Sequence, residues 1–175
     1  MTLRGLLADE SVVGTWDLAL DRSSVRFTNR TLWGLMKVNG QFSDVGGTGR
    51  IDPDGDMSGR VVIGAGSVYT GIRKRDEHLR SADFFDTARF PEIAVDIGGA
   101  TPTGDHSADL AATLTVRGTT RPLALTATVT RLANDTVHVV GRARIDRTAW
   151  GVSGNMVGMM PSATALVADM LFVKA

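Results

Sequence analysis

Apolar residues along this chain recur mostly at every second position. Trp16, Leu18 and Leu20 alternate with Asp17 and Ala19, and Val25 and Phe27 flank Arg26. Ile93, Val95 and Ile97 alternate with Ala94 and Asp96, and Leu110, Ala112, Leu114 and Val116 follow the same rule. Leu123, Leu125, Ala127 and Val129 are separated by Ala124 and threonines. Ala143 and Ile145 sit among Arg142, Arg144 and Asp146, and Leu166, Ala168, Met170 and Phe172 end the series. Such a period turns one side of each strand to an apolar interior and the other to water.

Turn signals separate the runs: Asp21-Arg22-Ser23, Asp52-Pro53-Asp54-Gly55-Asp56, Pro102 to Asp105, Gly118-Thr119 and Ala133-Asn134-Asp135. The pattern predicts about eight or nine short-linked strands, which is an all-β antiparallel barrel or sandwich. One segment departs from it. Arg73 to Ala82, RKRDEHLRSA, is rich in helix formers and predicts a short helical insertion.

A barrel of about eight strands either fills with its own side chains or holds one small ligand. The interior-facing candidates include the small residues Ala112, Ala127, Ala143 and Ala168, and seven methionines add adaptable walls. These favour a chamber, while alanine is equally at home in a compact core. The alternation supplies the wall candidates: Val25, Phe27, Val38, Phe42, Val61, Ile63, Val95, Leu114, Val116, Leu125, Ile145 and Met170.

Charge and composition narrow the function. With 19 Lys+Arg against 19 Asp+Glu the net charge is zero, which argues against a nucleic-acid binder. Hydrophobic residues at 43% suffice for a folded core, and the 175 residues suit one domain. The absence of cysteine excludes disulfides and thiolate chemistry. No apolar run approaches the roughly 20 residues of a membrane helix. The opening MTLRGLLADE turns acidic at Asp9 and Glu10 before an export-signal core is complete, so the expectation is a cytoplasmic protein, not embedded in a membrane.

Catalytic and metal motifs are scarce. His78, His106 and His138 have no metal-ligand spacing. Asp52, Asp54 and Asp56 lack the glycine and glutamate positions of a calcium loop, since Gly55 comes fourth and Ile63 twelfth. Asp76, His78 and Asp83 gather with Arg73, Lys74, Arg75 and Arg80. That group reads either as a polar mouth holding a ligand head or as a network that caps and fixes the helical insertion. No acid–base pair stands out, so no catalytic residue, metal ligand or cofactor site is assigned.

Three blocks then carry a resemblance. Arg75 to Asp86, RDEHLRSADFFD, followed by Phe90-Pro91, is similar to the RDxHLxSxDFFD motif of the YceI-like, lipocalin-resembling family. Leu114 to Leu123 resembles its LTxxGxTxPxxL hairpin, and Arg144 to Val152 its R-D-[FW]-G segment with altered spacing before the aromatic. Trp16-Asp17 and Ser24 to Phe27 also fit. The family often carries a histidine where this chain has Thr31, and Trp33 and Met36 stand nearby.

The resemblance spans about residues 14–174 and implies an eight-stranded lipocalin-like barrel with a short helical insertion. Residues 1–13 are an N-terminal extension and 14–175 the single barrel domain. It further implies an apolar channel that takes a polyisoprenoid, a quinone-type lipid or a fatty amide, and a homodimer. The expected function is non-catalytic binding or carriage of such a lipid, with Thr31, Arg75, Asp76 and His78 as head-group candidates. The competing readings are an enzyme working at the barrel mouth, against which the missing acid–base pair counts, and a filled, stress-related barrel acting through a protein partner.

Overall fold

The computed structural model describes residues 1–30, 37–154 and 162–175. Among these, eleven strand segments form one sheet that closes on itself. They are β1 (Gly14–Leu18), β2 (Ser24–Arg30), β3 (Lys37–Phe42), β4 (Val45–Ile51), β5 (Met57–Gly64), β6 (Val68–Tyr69), β7 (Glu92–Pro102), β8 (Ser107–Val116), β9 (Thr119–Ala133), β10 (Thr136–Asp146) and β11 (Ala163–Lys174).

The eleven segments act as eight staves. One edge of β11 pairs with β10, and its other edge pairs first with β2 (Ala168 opposite Val25) and then with β1 (Phe172 opposite Leu18). The next stave repeats the split: β3 pairs with β2 and β4 with β1. So does the third, where β4 pairs with β5 and β3 with β6. All pairings are antiparallel, and the ring is an up-and-down barrel of eight staves, the architecture expected from the sequence.

Three neighbouring staves are therefore jointed at one level, near residues 19–23, 43–44 and 65–67. Side chains repair the ladder there. The Ser23 hydroxyl accepts from the Leu171 N–H at 3.1 Å, and the Ser67 hydroxyl accepts from the Asp44 N–H at 3.1 Å while donating to the Gly64 carbonyl at 2.7 Å. The joint also explains Leu20. Sequence alternation puts it in phase with Trp16 and Leu18, but the chain leaves β1 at Leu18 and turns through a 3-10 segment, so Leu20 is 64% exposed.

The interior has two clusters. The larger one includes Phe27, Phe42, Leu79, Phe84, Leu114 and Trp150. The smaller one packs Leu3, Leu6 and Val12 from the N-terminal segment on Trp16, Leu110, Ala127, Val129 and Val137. That segment comprises α1 (Leu3–Leu7), capped by the Thr2 hydroxyl, and a 3-10 segment, Glu10–Val12. Arg131 fixes it by donating to the Asp9 carboxylate at 2.8 Å and the Ser11 hydroxyl at 3.0 Å. Hydrogen bonds from Ser11 and then from Arg131 hold the Asp9 carboxyl down to about 2, so the anchor stays charged through the acidic range.

At the opposite end, α2 (Arg73–Arg80) realises the predicted helical insertion and buries Leu79. The β8–β9 hairpin turns on Arg117 and Gly118, whose φ values of +51° and +74° fit a type I′ turn. The turn aims Arg117 at the Phe84 carbonyl, 2.9 Å away. A Cβ on Gly118 would lie 2.9 Å from the Phe90 ring. Gly118→Ala is expected to cost about 1–2 kcal/mol of stability from left-handed strain alone, read as a lower urea midpoint with unchanged slope.

Candidate functional site

The period-two pattern carries through to a cavity of about 170 Å³ lined chiefly by the larger cluster. Its most regular wall is β10–β11. On β10, Val139, Gly141, Ala143, Ile145 and then Arg147 face inward, and on β11, Thr164, Leu166, Ala168, Met170 and Phe172 do the same. β5 and β7 stand across the ring, β2, β3, β8 and β9 complete it, and the roof comes from Leu79, Phe84, Phe85, Trp150 and Val152. Phe27 lies across Gly40, its register partner: a Cβ there would fall 2.1 Å from the ring. The glycine lets the aromatic ring rest on the backbone.

Of the twelve wall candidates, Val25, Phe27, Phe42, Val61, Ile63, Val95, Leu114, Val116, Leu125, Ile145 and Met170 line the cavity. Val38 does not; it pairs with Asn29 near the end of the β2–β3 ladder and is half-buried. Of the four small-residue candidates, Ala143 and Ala168 reach the cavity, whereas Ala127 belongs to the smaller cluster and Ala112 only packs beside the larger one.

The head-group candidates sit elsewhere. Asp76 is buried and accepts from the Thr70 N–H at 2.9 Å and from the Thr70 hydroxyl. Arg75 donates to the same hydroxyl and to the Thr70 carbonyl, at 2.8 and 3.0 Å. His78 meets the Asp83 carboxylate at 3.1 Å and sets its ring edge-on to Phe84, centroids 5.0 Å apart. These contacts lock α2 to its flanking chain, and none of the three residues is part of the cavity lining. Thr31, Trp33 and Met36 lie outside the described residues.

Among the described residues, the polar side chains of the lining are Asn29, Thr164 and Arg147, whose polar atoms turn to protein partners and leave the cavity surface apolar. Asn29 is 2% exposed and donates to the Thr164 hydroxyl at 2.9 Å and the Ala163 carbonyl at 3.2 Å. Arg147 donates to the Val152 and Gly154 carbonyls at 2.6 and 2.9 Å, with its guanidinium 5.6 Å from the Phe84 ring centre. Burial lowers its pKa and the Asp146 charge opposes that, but a guanidinium stays protonated. Its bonds curl the chain after β10 so that Trp150 enters the roof and donates to the Leu114 carbonyl at 2.8 Å.

Sequence reasoning missed these three polar residues, though the signal existed. Asn29 continues the Val25–Phe27 phase, and Arg147 continues that of Ala143 and Ile145. The described lining holds no carboxylate and no imidazole, so it can enclose and orient an apolar guest but offers no group for proton transfer at neutral pH. Among the described residues no helix is long and apolar enough to cross a membrane.

A family model of the YceI-like domain matches residues 16–174. The chain belongs to the YceI-like family. Two curated relatives show the same kinship over part of their length. A UPF0312 protein of Pseudomonas savastanoi pv. phaseolicola is 32% identical over 97 residues, 54% of this chain and 50% of that protein. Protein YceI of Escherichia coli O157:H7 is 35% identical over 96 residues, with the same shares. The aligned region thus spans about half the length of these relatives.

Solved structures show the YceI-like fold more completely. Burkholderia cenocepacia BcnA superposes with a TM-score of 0.80 at 18% identity, covering 89% of this chain and 99% of that one. A polyisoprenoid-binding domain from Saccharophagus degradans, implicated in plant cell wall breakdown, gives 0.74 at 18% identity, covering 91% and 98%.

Proposed function

We propose that this YceI-like barrel binds the hydrocarbon part of an amphiphilic lipid, of the polyisoprenoid, quinone or fatty-amide class, without transforming it. The observation that carries the reading is a cavity with hydrocarbon walls inside the barrel, whose described lining has only Asn29, Thr164 and Arg147 as polar side chains. The Saccharophagus degradans domain, similar in fold and described as polyisoprenoid-binding, supports the same ligand class.

Burying apolar surface releases about 25 cal/mol per Å², or about 0.8 kcal/mol per methylene, against an ordering cost of several kcal/mol. The lipid head points toward the end where β2 and β10 finish and β11 begins, the end of the lining that carries Asn29, Thr164 and Arg147. Arg75, Asp76 and His78 lie outside the lining and serve the helix instead, through Thr70 and Asp83.

Volume limits the guest. A cavity of 170 Å³ is close to one of about 150 Å³ that takes up benzene, so the resting chamber admits roughly one isoprene unit. Longer tails require unbranched or aromatic wall residues such as Met170 and Phe27 to change rotamer. The modest volume also favours the second reading, a filled barrel acting through a protein partner.

Native mass spectrometry of gently purified protein separates the two. The lipid reading expects a co-purifying apolar mass, or uptake of added farnesol by protein that is empty. A bare polypeptide that also refuses farnesol overturns it.

A further inference from the structure

The N-terminal segment touches the same wall that bounds the cavity. Leu3, Leu6 and Val12 are 1%, 4% and 0% exposed, as buried as any residue of the barrel. They lie at the end bearing the β4–β5, β7–β8 and β9–β10 turns. The Leu3 N–H donates to the Asp105 carbonyl in the β7–β8 turn, and the Leu7 carbonyl abuts Gly55 in the β4–β5 turn. Arg131 and Lys174 clamp the segment through Asp9 and Ser11, and the Trp16 indole donates to the Val12 carbonyl at 2.9 Å.

One layer of side chains separates this plug from the cavity. Leu110 belongs to the plug's cluster, and Ile97, Leu125, Val139 and Phe172 pack against it; all five also line the cavity. The polar residues Asn29, Thr164 and Arg147 belong to the far end, where β2 and β10 finish and β11 begins. A chain entering from that end runs inward until it meets that layer, behind which lies the cluster of Leu3 and Leu6. Residues 1–15 lie outside the span that matches the YceI-like domain.

We propose that the segment Leu3–Val12 is the floor of the chamber and sets the longest hydrocarbon chain it accepts, with the ligand entering from the opposite end. The inference rests on the lipid-binding reading above. A floor held by side-chain packing gives a defined breakpoint: each methylene up to it raises affinity about fourfold, and each one past it adds nothing.

The test measures affinities of 1-alkanols from six to twenty carbons by displacement of a fluorescent fatty-acid probe. Wild type is compared with a Leu3→Ser/Leu6→Ser double variant and with the milder Leu3→Ala, each checked for a barrel by circular dichroism and for release of residues 1–12 by hydrogen exchange. The expected result is the same slope per methylene in all three, with the breakpoint moved outward by two or more carbons where the segment is released. Leu110→Phe, which thickens the layer from within, moves it inward. An unchanged breakpoint in a variant whose segment is released overturns the floor, and so does loss of short-chain binding by that variant. A wild-type protein that binds no alkanol of any length removes the lipid reading itself, a result distinct from either.

Discussion

Ala143→Phe is expected to lower the affinity for a hydrophobic probe by at least about a hundredfold while the barrel still folds. Ala143 is 8% exposed, faces the cavity from the middle of β10 and stands opposite Leu166 in register. The substitution places a phenyl ring in a space of about 170 Å³, close to the volume that takes up one benzene. It therefore removes room for about four methylenes of guest, which at about 0.8 kcal/mol each exceeds the ~2.7 kcal/mol of a hundredfold change. Overpacking costs about 1–3 kcal/mol of stability, so far-ultraviolet circular dichroism and a urea curve accompany the binding titration. Arg144→Ala, one residue on and facing outward, is the control. A folded Ala143→Phe protein that binds the probe like wild type would place the guest somewhere other than this cavity.

The second large effect concerns the roof. Trp150→Ala is expected to reduce the unfolding free energy by about 3–5 kcal/mol. The indole is 6% exposed within the larger cluster, and its N–H is bonded to the Leu114 carbonyl. Removing it opens a void beside Phe84 and Val152 and takes away that donor. Trp150→Phe keeps most of the apolar contact and loses the hydrogen bond, so it is expected to cost less, about 1–3 kcal/mol. Urea midpoints at constant slope read both. A loss below 1 kcal/mol for the alanine variant would show that the chain after β10 is not held in the roof.

The walls were the legible part. Where both neighbours of a strand are strands, one face is inside and the other outside, so a simple alternation names the lining, as along Ile145 on β10 and Met170 on β11. The helical insertion was legible from its composition, because helix formers without a period-two pattern stand out in an all-β chain. The joints were not. Leu20 leaves the interior because the chain kinks at a level set by three adjacent staves, which no local window contains. The N-terminal segment reads as an extension for the same reason. The Leu3 and Leu6 spacing gives one face of a short helix, but its partners, Leu110, Val129 and Val137, lie more than a hundred residues away. The surroundings of the polar residues were not legible either. Arg75, Asp76 and His78 look like a binding cluster by type, and the contacts with Thr70 and Asp83 that occupy them come from backbone geometry around α2.

Ring closure has a consequence for biosynthesis. Every other pairing in the barrel joins segments that are close along the chain, whereas β11 must return to β1 and β2, laid down more than 130 residues earlier. Until Ala163–Lys174 has left the ribosome, β2 and β10 each carry a bare edge able to pair with a neighbouring nascent chain. β11 therefore acts as the zipper of the whole cylinder, and a copy without it yields an open, adhesive sheet.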